Sequence, residues 1–400
     1  MKILYVHQYF RTPEEGGCVR SYHLAKGLVD HGHEVEMITA HSGDYQITHV
    51  DGIRVHYLPV SYKNNFGFIR RILAFLKFVR LAKKESLKVK KADLAYVMTT
   101  PLTTGLIALF VKNKLNIPYY FEVGDLWPEA PIQMGVIKSP LLKNLLYRFE
   151  KKCYFEAQKV VALSPAIRNY IERLSPQTKV HVLPNISHCD FFDHKVSMKV
   201  FNDDSPFQVG YIGTVGKANN LEYLIAAAKY SSRQGQPIVF HIMGEGAQLS
   251  KTRRAASGMQ NVLFHNYGSQ SDVKELIEQM DAVYISFLNV PVLNTGSPNK
   301  FFDGLAAGKL IIINFKGWIK DVVEKNECGF YAPPHKPEKL CAQVENYIQN
   351  NSKLMKAQRN SRKMAEKFYD KNLLVSKLIK IINNETSIPL DDSEVHILTA

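Results

Sequence analysis

One short segment gathers side chains suited to binding a phosphorylated ligand: Ser297-Pro298-Asn299-Lys300-Phe301-Phe302-Asp303. A polar loop runs here into a short helix, and the first N–H groups of a helix have no partners inside it. This helix start and the Lys300 ammonium together offer positive charge to a leaving nucleoside diphosphate. Asp303 lies one turn further on, where a carboxylate can hold ribose hydroxyls. We predict nucleotide binding by Ser297, Asn299, Lys300 and Asp303, with Lys300 also catalytic; a capped surface helix is the alternative.

A turn rich in glycine, Gly213-Thr214-Val215-Gly216-Lys217, is a second candidate anion site. It follows a strand at 207–212 and precedes a helix near 219–233, so glycine N–H groups and a helix start face the same anion. The turn matches neither the G-x-G-x-x-G nor the P-loop pattern, which disfavours dinucleotide oxidation and ATP hydrolysis. We predict diphosphate binding by Gly213, Thr214, Lys217 and Gly244, the last of which ends the next strand. An ordinary turn between a strand and a helix is the alternative.

Two residues with functional side chains follow the strand at 118–123, at the end where ligands bind in open α/β sheets. Asp125 can orient or deprotonate a hydroxyl of an acceptor, the second substrate that would receive the group released from the nucleoside diphosphate. Trp127 offers a rigid apolar wall to a sugar or lipid. We predict Asp125 as a second catalytic residue and Trp127 as an acceptor contact. The alternative is that Asp125 caps the turn and Trp127 packs beneath it.

A glycine pair, Gly16 and Gly17, precedes the first helix of the chain. Such a pair lets the backbone approach a sugar or phosphate closely. Arg20, one turn into the helix, can clamp the pyrophosphate of an acceptor with two hydrogen bonds. We therefore predict an acceptor site at Gly16, Gly17 and Arg20, with a plain loop and a surface arginine as the alternative.

Short apolar strands alternate with amphipathic helices along both halves of the chain, which predicts parallel sheets with helices on both faces. The 400 residues exceed what one hydrophobic core usually serves. We predict an α/β fold of two doubly wound Rossmann-like domains facing a central cleft. The predicted ranges are 1–187 for the acceptor-binding domain, 188–205 for a linker, 206–365 for the nucleotide-binding domain, 366–384 for a C-terminal helix packing back on the first domain, and 385–400 for a flexible tail.

Composition narrows the class of partner and compartment. The net charge of +14 indicates an acidic partner, either nucleic acid, anionic lipid or a phosphorylated ligand. The five cysteines are scattered without a C-x-x-C pair, which favours a reducing compartment and disfavours zinc. The N-terminal segment MKILYVHQYF is too short and polar for a signal peptide, so a cytoplasmic protein is expected. No Asp-x-Asp pair is present to hold Mg²⁺, and we predict no metal and no cofactor.

The densest basic block is FGFIRRILAFLKFVRLAKK, residues 66–84, which is typical of an interfacial helix on anionic lipid. The predicted membrane residues are Phe68, Arg70, Arg71, Phe75, Lys77 and Arg80. A domain helix whose apolar face is ordinary core is the alternative. Nucleic acid is not expected as a partner, because no RNA or DNA motif accompanies the block. The uncharged run from Leu94 to Val111 is interrupted by Thr, Pro and Gly, which predicts a strand, a turn and a buried helix rather than a membrane span.

The segment SPNKFFDGLAAGKLI resembles the donor-site signature of glycosyltransferase family 4 enzymes. Further blocks resemble that family in the same order along residues 1–330: EEGGCVRSYHLAKGLVDHGHEVEMIT, DLWPEAPIQMG, VVALSPAIRNYI, KVHVLPN, YIGTVGKANNLEYLIAAA, HIMGEG and NVLFHNYG. The DLWPE and S-P-x-K blocks resemble the branch that builds bacterial O-antigens and capsules, including N-acetyl-fucosamine transferases.

The resemblance implies a GT-B fold and a retaining, metal-independent transfer of an N-acetylated or deoxy hexose. The implied donor is a nucleotide-sugar, UDP-linked, and the implied acceptor is a polyprenyl-diphosphate-linked saccharide at an anionic membrane surface. The protein would then be peripheral on the inner face of the cell membrane. The chain departs from the family pattern with Thr214, Asn219, Thr295 and Asp303. Thr214 and Thr295 leave open a non-catalytic GT-B assembly subunit, and a GT-B sugar-nucleotide epimerase is a further alternative.

Overall fold

Buried apolar strands organise the chain into two units, each with its own sheet. The structure, a computed structural model, describes residues 1–17, 19–62, 66–193, 198–202 and 204–385, except for the side chain of Phe68. The first unit comprises Met1–Pro184, Thr295–Ser297 and the described chain from Asn372 onward, and the second comprises Asn185–Asn294 and Pro298–Lys371. The predicted fold class, two doubly wound α/β domains, is confirmed.

The first unit holds an eight-stranded sheet. Its strands are β1 (Lys2–Val6), β2 (Glu34–His41), β3 (Gln46–Val50), β4 (Ile53–Pro59), β5 (Leu94–Met98), β6 (Tyr119–Val123), β7 (Lys159–Ala162) and β8 (Val180–Val182). Their order across the sheet is β3-β4-β2-β1-β5-β6-β7-β8, and β3 pairs antiparallel with β4 while the other pairs are parallel. Every residue of β5 and β6 is buried, as expected for strands covered on both faces.

Helices connect these strands, and crossovers between parallel strands follow a right-handed rule. They are α1 (Arg20–Asp30), α2 (Phe68–Ser86), α3 (Gly105–Leu115), α4 (Glu129–Gln133), α5 (Pro140–Glu156) and α6 (Pro165–Leu174). The chain moves one way across the sheet from β1 to β2 and the other way from β4 through β8. Right-handed connections therefore put α1 on one face of the sheet and α2, α3, α5 and α6 on the other.

The second unit holds a six-stranded parallel sheet in the order β11-β10-β9-β12-β13-β14. Its strands are β9 (Phe207–Ile212), β10 (Ile238–Met243), β11 (Val262–His265), β12 (Ala282–Ile285), β13 (Leu310–Ile313) and β14 (Gly329–Tyr331). Its helices are α7 (Glu222–Arg233), α8 (Leu249–Ala255), α9 (Gln270–Gln279), α10 (Asn299–Ala306), α11 (Trp318–Lys325), α12 (Pro337–Gln349) and α13 (Asn351–Met364).

The C-terminal helix α14 (Lys371–Ile382) belongs to the first unit from Asn372 on. A Cβ built on Gly27 of α1 would lie 2.3 Å from Val375 Cγ1, so the two helices are in close contact. The Ile381 carbonyl accepts hydrogen bonds from the Tyr120 hydroxyl, at 3.4 Å, and from the Lys159 ammonium. The helix begins later than the predicted residue 366, because a π-helical turn, Ala365–Tyr369, ends the run of α13. The predicted tail from 386 onward lies outside the described residues.

Two features of the chain differ from the sequence prediction. The predicted linker 188–205 forms no helix or strand among its described residues, but the unit boundary falls earlier, between Pro184 and Asn185. The hairpin of β3 and β4 was not predicted, although Asp51 and Gly52 at its turn form an Asp-Gly pair. Both residues have positive φ, 48° and 84°, as a two-residue hairpin turn requires.

The uncharged run from Leu94 to Val111 folds as predicted. It forms β5, a short 3₁₀ turn at Leu102–Thr104 and the start of α3. Within the described ranges, no helix is both long and apolar enough to cross a membrane.

A buried glutamic acid lies between two tyrosines in the first unit. Glu150 of α5 is 0% exposed, and its carboxyl oxygens accept hydrogen bonds from the hydroxyls of Tyr154 at 2.9 Å and Tyr170 at 3.0 Å. Burial raises the pKa of Glu150 to about 8, because the charged carboxylate loses its hydration there. The folded protein therefore keeps a proton at Glu150 at neutral pH, whereas an unfolded glutamate with a pKa of about 4.3 does not.

We expect Glu150→Gln to reduce the pH dependence of the thermal unfolding midpoint. In the wild type, the contribution of Glu150 to the free energy of unfolding is fully present below its unfolded-state pKa. This contribution is lost as pH rises toward about 8, since unfolding then releases the proton held by Glu150. The amide of the variant stays neutral, so its midpoint should exceed that of the wild type by a margin that grows from about pH 5 to about pH 8.

The control for this experiment is Glu172→Gln, whose side chain is 45% exposed on α6. Its midpoint should follow that of the wild type at every pH. If the curves for wild type and Glu150→Gln run parallel instead, Glu150 is ionised in the folded protein.

Candidate active site

The turns after β9 and β10 pack directly against each other in the second unit. Gly213 has a φ of 141°, and its N–H donates to the Met243 carbonyl at 2.9 Å. Gly244 has a φ of 156°, and a Cβ built on it would lie 1.8 Å from the Gly213 carbonyl oxygen. Only glycine fits at position 244, because any side chain would overlap the neighbouring backbone. The two predicted glycines therefore form one tight pair of turns at the carboxyl edge of the sheet.

The side chain of Lys300 lies on this pair of turns. Its Nζ donates to the Tyr211 hydroxyl at 2.8 Å and lies 4.1 Å from the centre of the Tyr211 ring, whose face attracts a cation. The same hydroxyl donates to the Thr214 carbonyl at 2.6 Å. A Cβ on Gly213 would lie 3.2 Å from Lys300 Cε and 3.3 Å from Nζ. The structure thus brings Gly213, Gly244 and Lys300 together.

The ammonium of Lys300 has polar and aromatic partners but no neighbouring carboxylate. Among the described residues, no Asp or Glu oxygen lies within 4.0 Å of it. Burial lowers the pKa of Lys300 to about 7 and raises the pKa of Asp303 to about 7. Each shift has the same cause, because the charged form of each group loses hydration. An anion placed beside Lys300 would restore its charged form.

Helix α10 presents its N-terminal end at the same place. It begins at Asn299 after Pro298, and no side chain caps it. Its first N–H groups are therefore available to a ligand. Phe301 and Phe302 are buried and anchor the helix in the core. Asn299 and Asp303, four residues apart and half-buried, share one face of the helix, and Ser297 is buried just before it.

The side chains of Thr214 and Lys217 do not join this cluster. Both residues are exposed, and the chain after Lys217 forms a loop before α7 begins at Glu222. The N-terminus of α7 therefore does not follow the glycine turn as closely as the sequence predicted. Thr214 takes part through its backbone carbonyl alone, which accepts the Tyr211 hydroxyl. Diphosphate binding by Lys217 stays a prediction.

The predicted acceptor residues of the first unit lie on loops at one edge of its sheet. Asp125 follows β6 and accepts a long hydrogen bond, 3.5 Å, from Thr100 Oγ1 after β5. Desolvation by surrounding protein raises the pKa of Asp125, while solvent still reaches its side chain. Gly16 and Gly17, with φ of 69° and 86°, belong to the loop after β1. Since β1, β5 and β6 are parallel neighbours, their carboxyl ends bring these loops to the same edge.

Trp127 packs against helix α2. Its ring meets the ring of Phe75 edge to face, with 6.5 Å between the centroids. Trp127 is half-buried, so part of its ring remains available to a ligand. The packing interpretation of Trp127 therefore applies to one part of its ring, and contact of the remaining part with an acceptor stays a prediction.

Arg20, predicted to clamp a pyrophosphate, belongs to the core of the first unit. It is 3% exposed, its Nε donates to Glu122 at 2.9 Å, and its other nitrogens donate to the carbonyls of Leu183, at 2.9 Å, and Pro184. Burial lowers the pKa of Arg20, but the charge and hydrogen bond of Glu122 together with the nearby Tyr96 and Tyr5 hydroxyls hold it above the ordinary value. The prediction was wrong because the sequence does not show which side of α1 faces the core.

Helix α2 has two apolar faces, which the sequence interpretation merged into one. Phe75 and Val79 are buried in the core, so Phe75 is not available to a membrane. A separate line of apolar residues, Ile69, Leu73 and Leu76, is exposed. The exposed apolar surface of α2 is therefore formed by Ile69, Leu73 and Leu76 and does not include Phe75.

The basic residues of α2 lie beside that exposed line. Lys77 and Arg80 are exposed, and the Arg70 guanidinium lies 3.8 Å from the centre of the Phe66 ring. Arg71 is less available, since its Nε donates to the Phe66 carbonyl at 2.9 Å. The side chain of Phe68 lies outside the described residues.

Sequence reasoning missed Tyr211 and Thr100. A tyrosine inside a strand resembles core, and nothing in its spacing indicates that its hydroxyl holds a lysine from a distant helix. Thr100 follows a strand, as Asp125 does, and that position was the available signal. In the described part of the chain, no three His, Cys, Asp or Glu side chains are grouped to hold a metal ion.

Known proteins resemble both halves of the chain. Residues 15–186 match the family model described as Glycosyl transferase 4-like domain, and residues 194–364 match the model described as Glycosyl transferases group 1. A curated relative, an uncharacterized glycosyltransferase of Methanocaldococcus jannaschii, is 21% identical over 377 residues, which cover 88% of this chain and 93% of the relative.

Solved structures share the fold over nearly the whole length. Sucrose-phosphate synthase from Thermosynechococcus elongatus has a TM-score of 0.77 at 15% identity, covering 96% of this chain and 98% of that one. Anabaena HepE in complex with UDP-glucose has a TM-score of 0.68 at 15% identity, covering 96% of this chain and 100% of that one. At these identities, the likeness establishes the fold alone.

We expect Gly244→Ala to destabilise the second unit by at least about 2 kcal/mol, because the new Cβ collides with the Gly213 carbonyl. The matched control is Gly258→Ala, where φ is also positive, at 79°, but no atom lies within 4 Å of the new Cβ. The control should lose only about 1 kcal/mol, the cost of the backbone conformation. Urea denaturation measures both variants, and equal losses would contradict the tight packing of the two turns.

Proposed function

We propose that this chain, a group 1 glycosyltransferase with the GT-B fold, moves an N-acetylated or deoxy hexose from a UDP-sugar to a lipid-diphosphate-linked saccharide. The transfer retains the anomeric configuration and serves bacterial surface polysaccharide synthesis at the cytoplasmic face of the membrane. One observation carries the proposal: the Lys300 ammonium, held by Tyr211 against Gly213, has no carboxylate partner among the described residues. Such a cation is suited to a departing diphosphate.

The donor would bind in the second unit. Its diphosphate would contact Lys300, the first N–H groups of α10 and the backbone at Gly213 and Gly244. Asp303 would accept hydrogen bonds from the ribose hydroxyls, one helical turn from Lys300. UDP as the nucleotide is supported by HepE, a structure of similar fold that contains UDP-glucose.

The transfer step breaks the bond between the anomeric carbon and the β-phosphate oxygen, whose electron pair goes to the phosphate. The acceptor hydroxyl oxygen forms the new bond from the same side of the sugar ring, and its proton passes to the departing phosphate oxygen. Lys300 stabilises the negative charge that develops on that phosphate, and this effect is stronger in the transition state than before bond cleavage. Asp125 orients the acceptor sugar by accepting a hydrogen bond from a neighbouring hydroxyl of that sugar.

The acceptor would bind in the first unit. The loops that carry Gly16, Gly17, Asp125 and Trp127 meet at one edge of the sheet, where Trp127 can pack on a sugar face or a lipid. A lipid acceptor also agrees with the exposed apolar and basic residues of α2. Arg20 has no part in this proposal, because its guanidinium is bonded within the core.

We expect Lys300→Ala to lower kcat/KM for sugar transfer by about 10²–10³-fold, the usual effect of removing one group that stabilises transition-state charge. The measurement is transfer of radiolabelled sugar from a panel of UDP- and GDP-sugars to a short polyprenyl-diphosphate saccharide. EDTA should leave the wild-type rate unchanged, as the predicted metal independence requires.

The comparison variant is Lys217→Ala, which removes the exposed lysine of the glycine turn that is also predicted to bind the diphosphate. A loss at Lys217 equal to that at Lys300 would assign the leaving-group role to both cations. No transfer and no UDP release from any donor by the folded wild type would overturn the proposal in favour of a non-catalytic subunit. Interconversion of two UDP-sugars without an acceptor would favour an epimerase.

Donor affinity should fall as pH rises from about 7 to about 8.5. The Lys300 ammonium is present below its pKa of about 7 and is lost above it. Loss of this charge weakens binding of an anion, and each proton taken up on binding raises Kd up to about tenfold per pH unit. Calorimetric titration with a UDP-sugar measures the effect. UDP itself is unsuitable, because its terminal phosphate titrates near pH 6.

The comparison for this titration is Lys300→Arg, which keeps a permanent positive charge. Its affinity should depend less on pH than that of the wild type. Equal slopes in both proteins would show that the lysine stays charged throughout the range.

A further inference from the structure

The first half of helix α5 exposes apolar residues that the fold leaves uncovered. Leu141 is 81% exposed, and Leu142 and Leu145 are also exposed on the same side of the helix. The buried residues of α5 are Glu150, Cys153 and Tyr154, all in its second half. The second half of α5 therefore packs on the core of the first unit, whereas the three leucines in the first half of the helix do not.

A similar line lies on α2, where Ile69 is 74% exposed and Leu73 and Leu76 follow at helical spacing. Both helices lie on the same face of the sheet, as their right-handed crossovers require, and α3 packs between them. Each exposed line lies in the N-terminal half of its helix. Because crossover helices run antiparallel to the strands, both lines lie toward the carboxyl edge of the sheet.

Direct contacts tie both helices to the loop that carries Asp125. Phe75 of α2 meets Trp127 at 6.5 Å between ring centroids. On the other side, the Tyr147 hydroxyl of α5 donates to Glu129 of α4 at 2.5 Å. The two exposed lines therefore flank the segment from Asp125 to Glu129.

The charge of this region is strongly positive. Residues 66–156 contain 16 Lys or Arg and 7 Asp or Glu, and three of the acids, Glu85, Glu122 and Glu150, are buried. Exposed basic residues accompany the apolar lines on both helices, namely Arg70, Lys77, Arg80 and Lys84 on α2 and Arg148, Lys151 and Lys152 on α5. The cores of protein–protein interfaces are depleted in lysine. An anionic bilayer accepts inserted leucines and lysines at its surface together.

We propose that α2 and α5 together form a bilayer-contacting face, with Leu141, Leu142 and Leu145 inserted as its second apolar edge. The inference deepens the proposed function and rests on its membrane acceptor. The lipid chain of the acceptor would then approach Asp125 at the N-terminal ends of the two helices, so its first sugar meets the loop while its chain stays in the bilayer. A single amphipathic helix, α2, would not fix the direction of approach.

The test is cosedimentation with phosphatidylcholine vesicles, with and without phosphatidylglycerol. The variants are Leu141→Ser/Leu145→Ser on α5 and Ile69→Ser/Leu73→Ser on α2. The matched control is Met198→Ser/Val200→Ser, which changes residues that are 74% and 79% exposed in the second unit. The wild type should bind anionic vesicles and release them in high salt. Each of the first two variants should bind at least about tenfold more weakly, and the control should bind like the wild type.

Folding of each variant is checked by its thermal midpoint and by UDP-sugar binding in the second unit. Normal vesicle binding by the α5 variant, with binding lost in the α2 variant, would overturn the two-helix face. A wild type that ignores vesicles but forms a dimer, dissociated by Leu141→Ser/Leu145→Ser, would overturn it in favour of an interface between copies. If the vesicles bind as expected but no sugar is transferred from any donor, the bilayer-contacting face of α2 and α5 is supported and the proposed function is contradicted.

Discussion

The buried ion pair of Arg20 and Glu122 organises the first unit. Its arginine comes from the start of α1, its glutamate from the middle of the sheet on β6, and further nitrogens of Arg20 bond the carbonyls of Leu183 and Pro184 where the unit ends. Tyr96 donates to the second oxygen of Glu122 from β5. A buried charge left without its partner is strongly destabilising. The loops after β1 and β6 therefore start from fixed positions, and the predicted acceptor residues lie on those loops.

The second unit uses a buried cation in the opposite way. Arg20 is fully paired, whereas Lys300 has a ring face and a hydroxyl for partners and has its pKa lowered to about 7. A group whose charge is disfavoured in the free protein gains from any ligand that stabilises that charge. The contrast separates a cation that maintains a fold from a cation suited to a ligand, although the sequence shows only a basic residue near a helix start in both cases.

Much of the fold followed from the alternation of apolar strands and amphipathic helices, because a strand buried on both faces leaves a continuous apolar run. Local rules also selected Gly213, Gly244 and Lys300 as nucleotide-binding residues, since glycines and helix starts at strand ends have direct physical meaning. The sequence predicted less well which side of each helix faces the sheet. Arg20 and Phe75 were both assigned to a surface, and both are buried, because several nearly equivalent faces of an amphipathic helix can pack on a sheet. The role of Tyr211 depends on a partner 89 residues away, which no local pattern contains.

Helix α14 has a consequence for the order in which the protein forms. The first unit needs Leu374, Val375 and Leu378, which are buried, yet these residues leave the ribosome after the entire second unit. Domains generally fold as units during synthesis, beginning with the N-terminal one. Here the first unit lacks its last helix until translation is almost complete, and the surface around Gly27 and Tyr120 stays open until then. The nascent chain therefore carries an incomplete first domain for as long as its second half is being made.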